Sequence, residues 1–369
     1  KVSSRGKIRP MYIDADLSSD SGLNDVHAPI PFYLSSRGYG IFAEMREPGS
    51  FDMGAYKSDV ASFSFFAPSL TYHFLIDGNL DGVIGAYHRL TGLPLLPPRW
   101  AFAPQIWRGV YDSAEEVMGD ALAQRENGIP GSVIWIDSPW ETAYNTFDFN
   151  PVQFPDPRGL VSDLRELGFR VLLWITPHMN SSDDSEEMQG MEPNTGGLYE
   201  KAEKNGYFVK WESGSTYVVE WWKGTGALMD FTNPEALAFY QGLIGKALEV
   251  GISGWKQDAG EDVIAVLLGK TLDERGVGLS FFDGSDEKTL HSKYRMLYHQ
   301  AFSSAMRESV GDDFFSIARA GTFGGESQVH ALWPGDLEGD FSFHENGNTG
   351  GLPAAIVAAR TARVRIDDE

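Results

Sequence analysis

Gly254-Trp255-Lys256-Gln257-Asp258-Ala259-Gly260-Glu261 is the stretch on which the reading of the fold turns. The apolar run Val250-Gly251-Ile252 leads into it and Ala259-Gly260 follows the aspartate, so Asp258 stands where a buried strand opens into a loop. Side chains alternate along a strand with a period of two, which puts Lys256 and Asp258 on one face. By itself the octet reads equally as a place for chemistry or as a solvated strand end with a chance charge pair. The flanking segments decide between the two.

The same grammar recurs on either side. Ser113 and Glu116 have capping-box spacing and open a helix that stops at Asn127-Gly128, ahead of the strand Ser132-Val133-Ile134-Trp135-Ile136. Leu160, Leu164 and Leu167 stripe a second helix, Gly168 stops it, and Val171-Leu172-Leu173-Trp174-Ile175 is the next strand. Thr232-Asn233-Pro234 opens a third helix with Leu237, Ile244 and Leu248 inward, and Gly251 closes it before Ile252. A fourth, from about Ser292 to Val310, stops at Gly311 and feeds Phe314-Phe315-Ser316-Ile317-Ala318. Such helix-glycine-strand joints predict parallel strands with helical crossovers.

With a first strand at Ala101-Phe102-Ala103 and a sixth at Val329 to Leu332, the pattern is that of a (β/α)8 TIM barrel, incomplete at its C-terminal end. Asp137, Thr176, Asp258, Arg319 and Asp336 fall at C-terminal strand ends, where such barrels build their reactive face. Beyond Asp336 the chain passes through Phe341-Ser342-Phe343 into a helix expected near Leu352 to Val364. A doubly wound sheet is the alternative, but no glycine-rich phosphate loop follows the first strand.

Residues 1–95 read differently. Pro31 to Leu34, Tyr39 to Glu44, Ala61 to Phe66 and Thr71 to Ile76 are short runs separated by turn residues, as in part of an N-terminal β-sandwich. Pro94, Pro97 and Pro98 mark the boundary to a catalytic barrel over 96–369. Two excursions interrupt the barrel. Residues 180–230, rich in aromatics that include Tyr207, Trp211, Tyr217, Trp221 and Trp222, predict a small hairpin subdomain over the barrel mouth; residues 262–290 predict a rim loop beside Asp258.

A net charge of −22 argues against nucleic acid and anionic membranes as partners, and against strongly anionic substrates. No segment approaches the roughly 18 apolar residues of a membrane span, so a soluble protein is expected. The absence of cysteine excludes disulfides, thiolate metal sites and a cysteine nucleophile. His178, His330 and His344 lack metal spacing and are expected in hydrogen bonds, and the acidic run from Asp183 to Glu187 is expected to be solvated. The chain begins at Lys1 without an initiator Met or a signal-peptide pattern and reads as a piece of something longer, which leaves compartment and oligomeric state open.

Asp137, Asp258 and Asp336 sit at the ends of different strands and converge in one pocket with Lys256 and Arg319 if the barrel forms. Glycoside hydrolysis needs two carboxylates, one ionised and one holding a proton. A cation at Lys256 favours the charged form of Asp258, and the apolar approach Trp333-Pro334-Gly335 favours a protonated Asp336.

Across nearly its whole length the chain resembles glycoside hydrolase family 31, the retaining α-glycosidases that include α-glucosidases and α-xylosidases. Pro31-Phe32-Tyr33-Leu34-Ser35-Ser36-Arg37-Gly38-Tyr39-Gly40 is similar to its N-terminal β-domain. Val133-Ile134-Trp135-Ile136-Asp137 followed by Phe154-Pro155-Asp156-Pro157 resembles the strand whose aspartate contacts substrate. Trp174-Ile175-Thr176-Pro177, and Trp222-Lys223-Gly224 ahead of Asp230-Phe231-Thr232-Asn233-Pro234, resemble segments that line the sugar pocket. Lys256-Gln257-Asp258-Ala259-Gly260-Glu261 resembles the nucleophile motif, and Trp333-Pro334-Gly335-Asp336 the acid/base motif.

The resemblance implies a retaining hydrolase of α-glycosides or α-linked oligosaccharides, most simply one releasing α-glucose. Asp258 is then the nucleophile and Asp336 the acid/base, with their carboxyls about 5–5.5 Å apart. Asp137, Trp174, Trp222, Lys256, Arg319 and Trp333 are the implied sugar ligands, and no metal or cofactor is called for. An α-xylosidase or α-galactosidase of the same family is the nearest alternative. From other classes come a non-catalytic carbohydrate-binding barrel and an enolase-like barrel with Mg²⁺ on its aspartates, whose activity EDTA would abolish. No Lys or Arg occurs from Ser138 to Gln153, which argues against a sulfonated sugar bound from that side. Glu261 is read as orienting the loop.

Departures from the family pattern carry their own expectations. The segment from Arg319 to Asp336 is one residue longer than the pattern, and the last two barrel strands, a pocket histidine and the C-terminal β-domains have no counterpart. A six-stranded barrel leaves sheet edges open. Expressed alone, these 369 residues are therefore expected to fold poorly and lack activity; robust turnover by the purified chain would contradict this.

Overall fold

The computed structural model describes residues 5–11, 27–183, 190–261, 278–333, 335–337, 340–341, 351–353 and 355–356. Most of the acidic run, most of the 262–290 loop, His344 and most of the helix expected to reach Val364 lie outside them.

Six parallel strands form one sheet in chain order: Gln105–Arg108, Val133–Ile136, Arg170–Ile175, Gly254–Gln257, Phe315–Ala318 and Ala331–Leu332. The sheet curls into a partial (β/α) barrel. Its helices start where their caps dictate. Ser113 Oγ accepts from Glu116 N at 3.3 Å ahead of Ala114–Glu126, and Asp156 from Gly159 N at 2.9 Å ahead of Pro157–Glu166. Asn233 accepts from Glu235 N at 2.9 Å ahead of Pro234–Val250, and Asp286 from Thr289 N at 2.9 Å ahead of Glu287–Val310.

Register fixes which side chains share a face. Trp135 pairs with Leu172, Trp174 with Lys256, and Lys256 with Ile317, so these residues point one way; Ile134, Ile136, Leu173 and Trp255 point the other. The second set packs with Leu164, Tyr240, Ile244, Phe302 and Met306 of the helices in the main core. The first set faces the barrel interior, where Val133, Trp135, Leu172 and Phe315 close its lower part with Ile317 and Ala331.

The first strand, the start of the fourth crossover helix (Glu287 rather than Ser292) and the buried face of the third differ from the sequence reading. Ala101-Phe102 belong to a 3-10 turn, Arg99–Phe102, and the first strand starts at Gln105. The Pro97-Pro98 pair extends the backbone into that turn, Ala103 N closes on Trp100 O at 3.4 Å, and only past Pro104 is the chain free to pair with Val133. The third crossover helix buries Ala236, Tyr240, Leu243, Ile244 and Ala247, with Leu237 and Leu248 at the margin of that face.

The four runs expected in residues 1–95 are strands, joined by Ile8–Pro10 and Gly49–Asp52. They make two antiparallel three-stranded sheets, which share an apolar cluster of Ile41, Met45, Phe51, Tyr33, Phe63 and Phe65. A helix, Leu80–Thr91, was not legible there: Gly82 and Gly85 each lower its propensity by about 1 kcal/mol. It forms because Asn79 caps it and Val83 and Tyr87 are buried, Tyr87 against Phe42, itself packed on Phe323. The excursion after the third strand is a three-stranded antiparallel sheet of His178–Ser182, Gly224–Leu228 and Val218–Trp221, plus the helix Leu198–Lys204. No helix among the described residues is long and apolar enough to cross a membrane.

At Gly254 the backbone of the fifth strand leaves no room for a side chain, since a Cβ there would overlap the carbonyl oxygen of Phe315. Gly254→Ala should cost about 3 kcal/mol or more in urea unfolding. Gly242→Ala, in an open helical position of Pro234–Val250, should instead be neutral or stabilise by about 0.5–1 kcal/mol.

Candidate active site

Inward parity continues past the strand ends. Asp137 lies two residues beyond Trp135, Asp258 two beyond Lys256, Arg319 two beyond Ile317 and Trp333 two beyond Ala331, so the interior face that is apolar below is polar at the mouth. Asp137, Lys256, Asp258, Glu261 and Arg319 are all buried.

Two cations, Lys256 and Arg319, organise this mouth. Lys256 Nζ donates to Asp137 Oδ2 at 2.8 Å, and Trp107 Nε1 donates to the same oxygen at 2.6 Å. Arg319 Nη1 lies 3.0 Å from Asp258 Oδ1, while its Nε and Nη2 donate to Glu261 Oε1 and Oε2 at 2.9 and 3.1 Å. Trp174 Nε1 donates to Asp258 Oδ2 at 2.9 Å, and the next amide, Ala259 N, to Oδ1 at 2.8 Å. Ala259 and Gly260 follow at φ of 56° and 91°, a left-handed pair that turns the chain sharply away behind the carboxylate. The sequence placed Lys256 beside Asp258; the cation in contact with Asp258 is Arg319, because the Lys256 ammonium crosses to Asp137.

Burial opposes the charge on Lys256, but Asp137 and then Asp258 hold its pKa above the ordinary value. Burial likewise opposes ionisation of Glu261, yet Arg319 and a hydrogen bond from His27 hold its carboxyl well below the usual range. Asp336 is exposed and within electrostatic reach of Lys256, Asp258, Arg319 and Asp137. The surrounding protein pushes its pKa up; Lys256 counters this, and the negative charges of Asp258 and Asp137 reinforce it. Its neighbour Trp333 lies 5.2 Å from the Lys256 ammonium, and the buried Trp333 Nε1 has no hydrogen-bond partner among the described residues.

Tryptophans wall the pocket in two groups. Trp174 stacks on Trp221 at 6.4 Å, His178 stacks on Trp221 at 4.3 Å, and Tyr144 meets both tryptophans edge-on. Trp222 lies over the Arg319 guanidinium, 5.1 Å away. His178 bonds Thr176 Oγ1 at 3.3 Å and His330 accepts from Ser316 N at 3.2 Å; burial brings His330 down to about 4, so it is neutral there.

The structure adds residues to which the sequence reading gave no role of their own. Trp107 is 57% exposed yet bonded to Asp137, and the register pair Trp107↔Trp135 gives it inward parity, a signal hidden by the misplaced first strand. Tyr144 lies in the loop after Asp137, and Lys223, from the excursion, sits 5.6 Å over its ring, so a cation reaches this loop from outside it. His27 carries no sequence signal at all.

Parallel strands with carboxylates, two cations and tryptophans at their C-terminal ends define a (β/α)-barrel protein with a polar, aromatic-walled pocket. Residues 94–360 match the model of the glycosyl hydrolases family 31 TIM-barrel domain, and the chain belongs to that family. It is 28% identical over 79% of its length to the α-xylosidase XylQ of Lactiplantibacillus pentosus, and 27% identical over 83% to α-glucosidase 2 of Bacillus thermoamyloliquefaciens. It spans only 36% and 38% of those relatives. Its fold matches a family 31 dextranase of Flavobacterium johnsoniae with a TM-score of 0.76, at 24% identity, over 89% of this chain and 39% of the other.

Asp258→Asn removes a negative charge facing Asp336 and frees the charge of Arg319, so the Asp336 pKa should fall. Lys256→Met removes a positive charge and should raise it. Carboxyl-carbon NMR titration of Asp336 reads both directions.

Proposed function

We propose that the chain forms the catalytic part of a retaining α-glycoside hydrolase releasing a neutral sugar, α-glucose first, from α-glycosides or α-linked oligosaccharides. In this reading residues 96–369 are the catalytic barrel, with an inserted subdomain at about 180–230, and residues 1–95 are part of an N-terminal β-sandwich. The observation that carries it is an aspartate carboxylate fixed by Trp174, Arg319 and its own following amide, facing a second aspartate whose proton is held more tightly than usual.

The chemistry follows from that asymmetry. Asp258 attacks the anomeric carbon while Asp336 gives its proton to the departing glycosidic oxygen, leaving a sugar ester on Asp258. Asp336, now a base, takes a proton from water; that water attacks the anomeric carbon, frees the sugar and restores both carboxyls. Asp137 and Lys256 hold sugar hydroxyls, and Trp174, Trp222 and Trp333 supply apolar walls. Arg319 reaches the sugar only while keeping its bonds to Asp258 and Glu261.

Support for a neutral α-linked substrate comes from the relatives, named α-xylosidase and α-glucosidase, and from the acidic chain. Whether the pocket admits a C6 hydroxymethyl separates glucose or galactose from xylose, and a panel of nitrophenyl α-glycosides on the whole protein decides it.

Asp258→Ala should lower turnover by about 10⁴-fold or more while sugar binding survives. An unchanged rate would exclude Asp258 as nucleophile, and binding without turnover in the unsubstituted protein would favour a carbohydrate-binding barrel. Since Asp336 works as an acid, kcat/KM should fall as pH rises through its elevated pKa. Asp336→Asn should abolish that limb.

A further inference from the structure

We infer that Glu261 and His27 are positioning residues for Asp258, acting through Arg319; the inference rests on the reading of Asp258 as nucleophile. Arginine favours forked, bidentate pairing with a carboxylate. Here the Nε and Nη2 edge of Arg319 is occupied by Glu261, at 2.9 and 3.1 Å, and only Nη1 meets Asp258. Without Glu261 that edge becomes available to Asp258. A bidentate pair would then draw on both oxygens of the nucleophile, including Oδ2, which now accepts from Trp174 alone among the described hydrogen bonds. Glu261 thus sets how tightly the guanidinium grips Asp258, and keeps one carboxylate oxygen available for attack.

His27 fixes Glu261 in turn. An ionised carboxylate only accepts, so the 3.0 Å contact from His27 Nδ1 to Glu261 Oε1 is a donation, and it defines the Nδ1–H form of the ring at this contact. The histidine is itself anchored, because its carbonyl accepts from Gly321 N at 2.9 Å, two residues beyond Arg319. Gly321 allows this close approach: a Cβ there would lie 2.9 Å from Ala28 Cβ. His27 is buried, lies 234 residues from Glu261 in sequence, and precedes the strand Phe32–Ser35. A segment outside the barrel therefore clasps the loop after the fifth barrel strand and locks Glu261 from above. The carboxylate edge taken by His27 and the guanidinium edge taken by Glu261 leave Arg319 one orientation.

The test compares His27→Ala, His27→Asn, Glu261→Gln and Asp258→Ala in the whole protein. The probes are 5-fluoro-α-glucosyl fluoride and its xylosyl counterpart, which trap the sugar ester, with labelling followed by mass spectrometry alongside kcat, KM and melting temperature. His27→Ala should slow labelling of Asp258 and kcat by about 10- to 100-fold with little change in KM, and Glu261→Gln should slow them at least as much. His27→Asn keeps an N–H near the Nδ1 position and should recover most of the rate. Unchanged labelling in His27→Ala overturns the positioning role, as does equal loss in His27→Ala and His27→Asn with a lowered melting temperature. Asp258→Ala judges the underlying reading separately. Labelling or turnover that survives in it removes the nucleophile assignment, whereas no labelling there and normal labelling in His27→Ala removes the positioning role alone.

Discussion

Arg319 carries one positive charge between two buried carboxylates, Asp258 and Glu261, and a buried excess of negative charge is costly unless the surroundings answer it. The answer comes from the helix Glu287–Val310. Arg295 is fully buried, donates to the Gly321 carbonyl at 2.8 Å and feels the charge of Glu261; burial brings it down to about 9, which leaves it charged at neutral pH. With the Asp137–Lys256 pair, three carboxylates face three cations behind the pocket. Asp336, on the exposed side, feels the same charges: burial, Asp258 and Asp137 oppose its ionised form and prevail over Lys256 and Arg319, which favour it.

The fold that makes this arrangement affordable is the parallel sheet. In-register neighbours at Trp174, Lys256 and Ile317 send alternate residues inward, and two residues later each strand end delivers its functional group to the same mouth. Aromatic packing of Phe147, Trp255, Phe302 and Tyr240 on the helix side excludes water from behind. Side chains in such a packed core are hard to displace, so the strand ends hold their spacing.

Much of this was legible in the sequence because strands and caps are local. Asp156, Asn233 and the glycines after each helix announce the crossovers, strand ends locate Asp137, Asp258 and Arg319, and period-two alternation puts Lys256 and Asp258 on one face. What was not legible depends on long-range pairing. The partner exchange that gives Lys256 to Asp137 and Arg319 to Asp258 follows from side-chain reach across neighbouring strands, not from distance along the chain. Trp107 was obscured by proline context that displaced the first strand by a few residues, and the helix Leu80–Thr91 by two glycines that tertiary packing overrides. His27 is fixed by a backbone bond to a loop nearly three hundred residues away, for which no local pattern exists.

The Asp258 carboxylate meets donors from the third strand, the fifth strand and its own succeeding amide, the last aimed by the left-handed turn at Ala259. Its two side-chain torsions are therefore set when the chain folds. The conformational entropy of orienting this carboxylate is lost once, at folding, and need not be lost again when a ligand meets it. In the proposed reaction any reshaping would then fall to the ligand, whose anomeric carbon would have to come to a stationary oxygen.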